Sequence, residues 1–144
     1  MMIWFDMDGT IADLYGVENW LPMIIASDPT PYTVATPLIN MSKLARKLNK
    51  LQQAGHKIGV ISWLSKNSTP EYDKLVIEAK TRWLNKHLRS VSWDIINIVA
   101  YGQNKWETCG EGILFDDERG NRDKWLNNMA FTPDQIFEIL NEVA

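Results

Sequence analysis

The chain has 144 residues, 45% hydrophobic and 23% charged, which is ordinary for a globular protein and enough for one core without staples. Its net charge of −3 and isoelectric point of about 5.3 exclude a general electrostatic attraction to nucleic acid or to anionic membrane. The one cysteine, Cys109, excludes an intramolecular disulfide.

Ile3 to Phe5 read as a first strand that runs directly into Asp6-Met7-Asp8-Gly9-Thr10. No basic region with an apolar signal core precedes it, and no apolar run approaches a membrane span, so the expectation is a cytoplasmic protein. Residues 11–35 follow as an irregular stretch, stiffened by Pro22, Pro29 and Pro31 and carrying Tyr15, Trp20, Leu21 and Tyr32. Thr36-Pro37 is expected to open a helix, with threonine as N-cap and proline in the first turn. Its stripe would be Leu38, Met41, Ala45, Leu48 and Leu51, and Gly55 would stop it. Lys57 to Ile61 is the second strand, ending in Ser62. After the polar loop 65–69, a helix is predicted from Pro70 to Leu88, with Leu75, Ala79, Trp83 and His87 along one stripe. Ile95 to Ala100 is the third strand, Ile113 to Phe115 the fourth and Met129 to Phe131 a short fifth. Lys105 opens a short helix after the Tyr101-Gly102-Gln103-Asn104 turn. Thr132-Pro133-Asp134-Gln135 carries a capping box into a last helix with Ile136, Ile139 and Leu140.

This alternation predicts an α/β protein with a parallel sheet of about five strands and helices on both faces. Ligands of such sheets bind beyond the carboxyl ends of the strands. The polar residues fall there: Asp6 and Asp8 after the first strand, Ser62 after the second, Lys105 between the third and fourth, Asp116 and Asp117 after the fourth. Asp6 and Asp8 share one strand face while Met7 takes the other, and two carboxylates so close call for a cation or a proton between them. Gly9 permits a sharp turn and Thr10 adds a hydroxyl. The spacing does not suit a calcium loop, because the residues after Thr10 are mostly apolar.

The stretch Ile3 to Thr10, with Ser62, Lys105 and Asp116-Asp117 in that order, resembles the four motifs of the haloacid dehalogenase-like (HAD) phosphohydrolases. The resemblance spans Ile3 to about Trp125. Response-regulator receiver domains gather similar groups, but their acidic pair comes first in the chain, whereas here it comes last.

The resemblance implies a single three-layer, Rossmann-like HAD domain over residues 1–144, without a full cap domain and with a short flap or mini-cap at about 11–35. It implies a Mg²⁺-dependent phosphatase that hydrolyses a phosphate monoester through an aspartyl phosphate. Asp6 would be the nucleophile and Asp8 the acid/base, with Lys105 countering phosphoryl charge. Thr10, Ser62 and Lys105 would bind the phosphate. Asp6, Asp116, Asp117 and the backbone carbonyl of Asp8 would hold the metal. The Asp-Met-Asp-Gly-Thr and Phe-Asp-Asp-Glu pattern, with Asn121, Arg122 and Trp125, resembles the 5′-deoxynucleotidase branch and phage-type relatives, which implies a small phosphorylated metabolite such as a nucleotide. Those enzymes have a fuller cap than this chain.

Tyr15 or Trp20 would then stack on a base or anchor the flap, and Asp13, Asn67 and Arg119 are candidates for the mouth. Two other readings are a non-catalytic phosphate-binding or interaction module on the same fold, and a nucleic-acid 3′-end phosphatase. The second would need a basic strip from Lys80, Arg82, Lys86 and Arg89. A phosphomutase would need a larger cap. His56 and His87 read as structural. The seven tryptophans, Trp83 and Trp106 among them, read as packing residues more than stacking platforms.

Overall fold

The computed structural model describes residues 1–144. Five parallel strands form one sheet in the order β5-β4-β1-β6-β7, where β1 is Met2–Phe5, β4 Lys57–Trp63, β5 Ile95–Val99, β6 Ile113–Phe115 and β7 Ala130–Phe131. The central strand β1 is apolar at every position and buried on both faces, as an inner parallel strand requires. Its alternation divides the core: Ile3 and Phe5 face a large cluster with Leu44, Leu48, Leu51, Trp83, Leu84 and Ile136, while Met2 and Trp4 face a smaller one with Ile61, Leu114 and Trp125.

Three helices supply the larger cluster: α3 (Met41–Gln53), α4 (Pro70–His87) and α7 (Ile136–Val143). The short helices α5 (Lys105–Cys109) and α6 (Arg119–Lys124) cover the opposite face, where Trp106 meets Trp125 edge to face with ring centroids 5.0 Å apart. The result is the expected three-layer α/β arrangement.

Two helical registers differ from the sequence reading. Thr36 and Pro37 do not open a helix. They form β3, paired antiparallel with β2 (Ala12–Asp13), and the N–H of Leu38 donates to the carbonyl of Ile11. Helix α3 starts four residues later than Pro37, because Asn40 caps it by accepting from the N–H of Lys43 at 2.9 Å. Leu38 is therefore outside the helix and exposed. In α4 the buried face is Tyr72, Val76, Ala79, Lys80, Trp83 and Leu84, rotated from the predicted stripe, so Leu75 is exposed. Strand β4 continues to Trp63, which puts Ser62 inside the strand. The capping box at Thr132 is present, leading through a 3₁₀ turn at Pro133–Gln135 into α7.

Between β2 and β3 the chain forms a 3₁₀ turn at Leu14–Gly16 and two short helices, α1 (Trp20–Ile25) and α2 (Thr30–Val34). Leu14 and Tyr32 pack on Tyr72, Val76 and Ala79 of α4. Tyr72 Oη donates to the carbonyl of Asp28 at 3.0 Å. No helix of the structure is long and apolar enough to cross a membrane.

Candidate functional site

Past Phe5 the backbone curls tightly. The carbonyl of Met7 accepts N–H bonds from Thr10, Ile11 and Ala12, each at 3.0 Å, while the Met7 side chain enters the core. Gly9 has φ +78°, and a Cβ there would lie 2.3 Å from Asp117 Oδ2, so both the turn and the approach of Asp117 require glycine.

This loop brings Asp6, Asp116 and Asp117 together, with one carboxylate oxygen of each lying within 4.8 Å of the other two. Lys105, at the first position of α5 and buried, donates to Asp6 Oδ1 at 2.9 Å and Asp116 Oδ2 at 2.7 Å. Thr10 Oγ1 donates to Asp6 Oδ2 at 3.0 Å and accepts from the N–H of Asp117 at 3.1 Å. Asp116 is held further by the N–H of Glu118, by Asn121 Nδ2 at 3.0 Å and, at its carbonyl, by Arg122 at 3.0 Å.

The cluster gathers three carboxylates with one ammonium group, which pairs with two of them, so formal negative charge is in excess. Their titration reflects it. Burial and the charge of Asp6 push Asp116 up to about 6, and the same causes push Asp117 up to about 7. Burial alone would lower Lys105, but the Asp6 and Asp116 carboxylates outweigh it and hold the amine above its ordinary value. A divalent ion with oxygen preference fits this donor set by charge and by chemistry.

Asp8 sits apart from that cluster, and its partner was not anticipated. Lys80, on the buried face of α4 and fully enclosed, donates to Asp8 Oδ2 at 2.9 Å, Ser62 Oγ at 2.7 Å and the carbonyl of Trp63 at 2.7 Å. All three ammonium protons are used. The Tyr32 ring lies beside it, its centroid 5.0 Å away, and Tyr32 Oη is bonded to Ser65 Oγ at 2.6 Å. Burial, then the charge of Asp6, raise the Asp8 carboxyl above its ordinary range, with Lys80 opposing them. Lys80 is therefore no part of a surface strip, and Arg82, Lys86 and Arg89 are left without it. The signal in the sequence was a lysine standing between Val76, Ala79 and Trp83 at helical spacing.

A cavity of about 520 Å³ opens above these groups, lined by Asp6, Asp8, Lys105, Asp116 and Asp117 at its floor. Thr10 and Ser62 are fully buried and line none of it. Asn67 reaches the cavity. Asp13 caps the 3₁₀ turn by accepting from the N–H of Gly16, and Arg119 pairs with Asp123 at the surface. His56 lies by the N-terminus and His87 packs on Trp83, both away from the cavity. Trp63 is a lining residue the sequence reading passed over. Its ring centroid is 5.4 Å from Lys105 Nζ.

No family model and no curated protein sequence matches the chain. Among solved structures it is similar to a D,D-heptose 1,7-bisphosphate phosphatase from Burkholderia thailandensis, with a TM-score of 0.50 and 13% identity over 85% of this chain and 69% of that one. The fold is HAD-like. At the carboxyl edge of a HAD-like sheet the acidic cluster, Lys105 and Asp8 thus share one cavity, with Lys80 enclosed behind Asp8.

Proposed function

We propose that the chain is a Mg²⁺-dependent phosphatase that hydrolyses a small phosphate monoester, such as a nucleotide, through an aspartyl phosphate on Asp6. The observation that carries this reading is the pairing of two differently held carboxylates. Asp6 is bonded to Lys105 and Thr10 beside Asp116 and Asp117, while Asp8 stands apart with its own lysine and a raised pKa. One environment suits a charged nucleophile, the other a proton donor.

In the first step an Asp6 carboxylate oxygen forms a bond to phosphorus. The bond from phosphorus to the leaving oxygen breaks, and Asp8 protonates that oxygen. In the second step Asp8 takes a proton from water, whose oxygen bonds to phosphorus and releases Asp6. Lys105 neutralises phosphoryl charge, while Thr10 and Ser62, buried beneath the cavity, hold Asp6 and Lys80 in place. Asp6, Asp116, the Asp8 backbone carbonyl and Asp117, directly or through water, would hold Mg²⁺, which when bound supplies neutralisation of the phosphoryl oxygens. Residues 11–35 serve as a flap over a single catalytic domain. A cytoplasmic setting belongs to this reading, supported by the lone Cys109. The 3′-end phosphatase loses support with Lys80 withdrawn into the interior, and a binding module gives no reason for Asp8 to be held as a separate carboxyl.

Phosphate release from a panel of nucleotides and sugar phosphates, with and without Mg²⁺, tests the activity. Release that needs Mg²⁺ is expected, and silence across the panel would contradict it.

Metal binding has a further test in stability. The folded chain binds protons at Asp116 and Asp117 up to about pH 6 and 7, whereas both groups have an ordinary value of 3.8 when unfolded. Between these limits the native state holds more protons than the unfolded one, so the cluster's contribution to stability falls as pH rises through the window. Metal-free protein should melt at a lower temperature near pH 8 than near pH 5, and Mg²⁺ should raise the melting temperature mainly at the higher pH. A metal-free melting temperature that rises from the acid to the alkaline condition would contradict the cluster's electrostatics. An equal Mg²⁺ effect at both would contradict its role as the metal site.

A further inference from the structure

Helix α1 has six residues and buries none of them. It is too short to be stable by itself, yet its Trp20, Leu21, Ile24 and Ile25 all line the cavity, with Leu21 49% and Ile25 76% exposed. An apolar helix face left open over a cavity gains free energy when a ligand covers it. Aromatic rings extend the same lining: Tyr15 pairs with Trp20 at 5.0 Å between centroids, and Trp63 pairs with Tyr101 at 5.1 Å.

Charge limits what else the ligand carries. The only cationic residues lining the cavity are Lys66 and Lys105, and Lys105 is already bonded to Asp6 and Asp116. Acidic residues outnumber them, and Glu118 adds an exposed carboxylate beyond those at the floor. One phosphate can be neutralised at the floor by Lys105 with a bound cation. A second anionic group would meet acidic neighbours with little to offset them.

We infer that the cavity selects monophosphate esters whose leaving group carries a flat aromatic ring and no second anion. The inference rests on the phosphatase reading and narrows its substrate. Nucleoside monophosphates and simple aryl phosphates share this chemistry, and the test separates them.

The experiment compares 1-naphthyl phosphate, deoxythymidine 5′-monophosphate, deoxythymidine 3′,5′-bisphosphate and glucose 6-phosphate by kcat/KM with Mg²⁺. Either aromatic monophosphate should exceed glucose 6-phosphate by about tenfold or more, and the bisphosphate should trail its monophosphate by about as much. The better of the first two identifies the source. Leu21→Glu with Ile25→Glu should collapse the preference towards parity through KM, and Ile25→Glu alone, at a position 76% exposed, should move it the same way without threatening the fold. Glucose 6-phosphate or the bisphosphate performing as well as the aromatic monophosphates would overturn the inference, as would a preference untouched by both variants. If none of the four releases phosphate, the same compounds are titrated calorimetrically onto Asp6→Asn with Mg²⁺. The same order of affinity upholds the selectivity while the phosphatase reading falls. Equal, reversed or absent binding overturns the selectivity as well.

Discussion

Asp6→Asn is expected to lower phosphate release by about 10³-fold or more, because a carboxamide cannot replace the attacking oxygen and nucleophile losses are of this order or larger. The same change should not cost stability. Asp6 is one of two carboxylates bonded to Lys105, and removing its charge leaves Lys105 paired with Asp116 at 2.7 Å. It also removes a cause that raises both Asp116 and Asp117. The metal-free variant should therefore melt at or above the wild-type temperature while being nearly inactive. Steady-state assays beside thermal melts check both halves. An inactive variant that is also grossly unfolded would assign Asp6 a structural role, and an active one would remove it as nucleophile.

Lys80→Met is expected to harm both folding and chemistry. The substitution preserves much of the length and removes an ammonium that serves Asp8, Ser62 and the carbonyl of Trp63 together. Breaking a buried charge pair from one side costs roughly 3 kcal/mol or more, which urea titration will read as a lower midpoint. The chemical effect separates a positioning role from simple loss of fold. Asp8 freed from Lys80 no longer points its proton at the leaving oxygen, so esters with poor leaving groups suffer most. Alkyl phosphates should lose about 10²-fold in kcat, and 4-nitrophenyl phosphate, whose leaving group needs little protonation, much less. Equal losses on both substrates would reduce Lys80 to a structural residue. Lys80→Arg, which keeps the charge but not the shape of the group, should fall between.

Much of this arrangement was legible in the sequence because the strands here are simple. Asp6, Asp8, Asp116 and Asp117 lie just beyond short apolar runs, and a parallel sheet gathers strand ends at one edge whatever the helices do. Lys105 was legible for a similar reason, since Asn104 caps α5 and so fixes Lys105 at its first position.

The helices were harder to read. Around Thr36-Pro37 the threonine–proline pair satisfies a helix start as well as it satisfies a strand edge. Pairing with Ala12 and Asp13, distant in the chain, decided between them. In α4, Ala79 and Trp83 belong equally to two overlapping stripes. Choosing the one with Leu75 put Lys80 on the solvent side, and only packing against Tyr32, Ser62 and Asp8 selects the other. A lysine on an apolar stripe is normally read as an edge residue that snorkels to water. Here the partner carboxylate came from 72 positions earlier in the chain, a separation that local periodicity cannot report.

The most direct test of the chemistry is to find the covalent intermediate. Enzyme turning over 4-nitrophenyl phosphate with Mg²⁺ is quenched in acid, reduced with borohydride to convert any acyl phosphate to an alcohol, and digested for mass spectrometry. The predicted result is reduction at Asp6, dependent on substrate and on Mg²⁺ and missing from Asp6→Asn. Turnover accompanied by modification of Asp8 or Asp116 instead, or by no modified carboxylate, would contradict an aspartyl phosphate on Asp6.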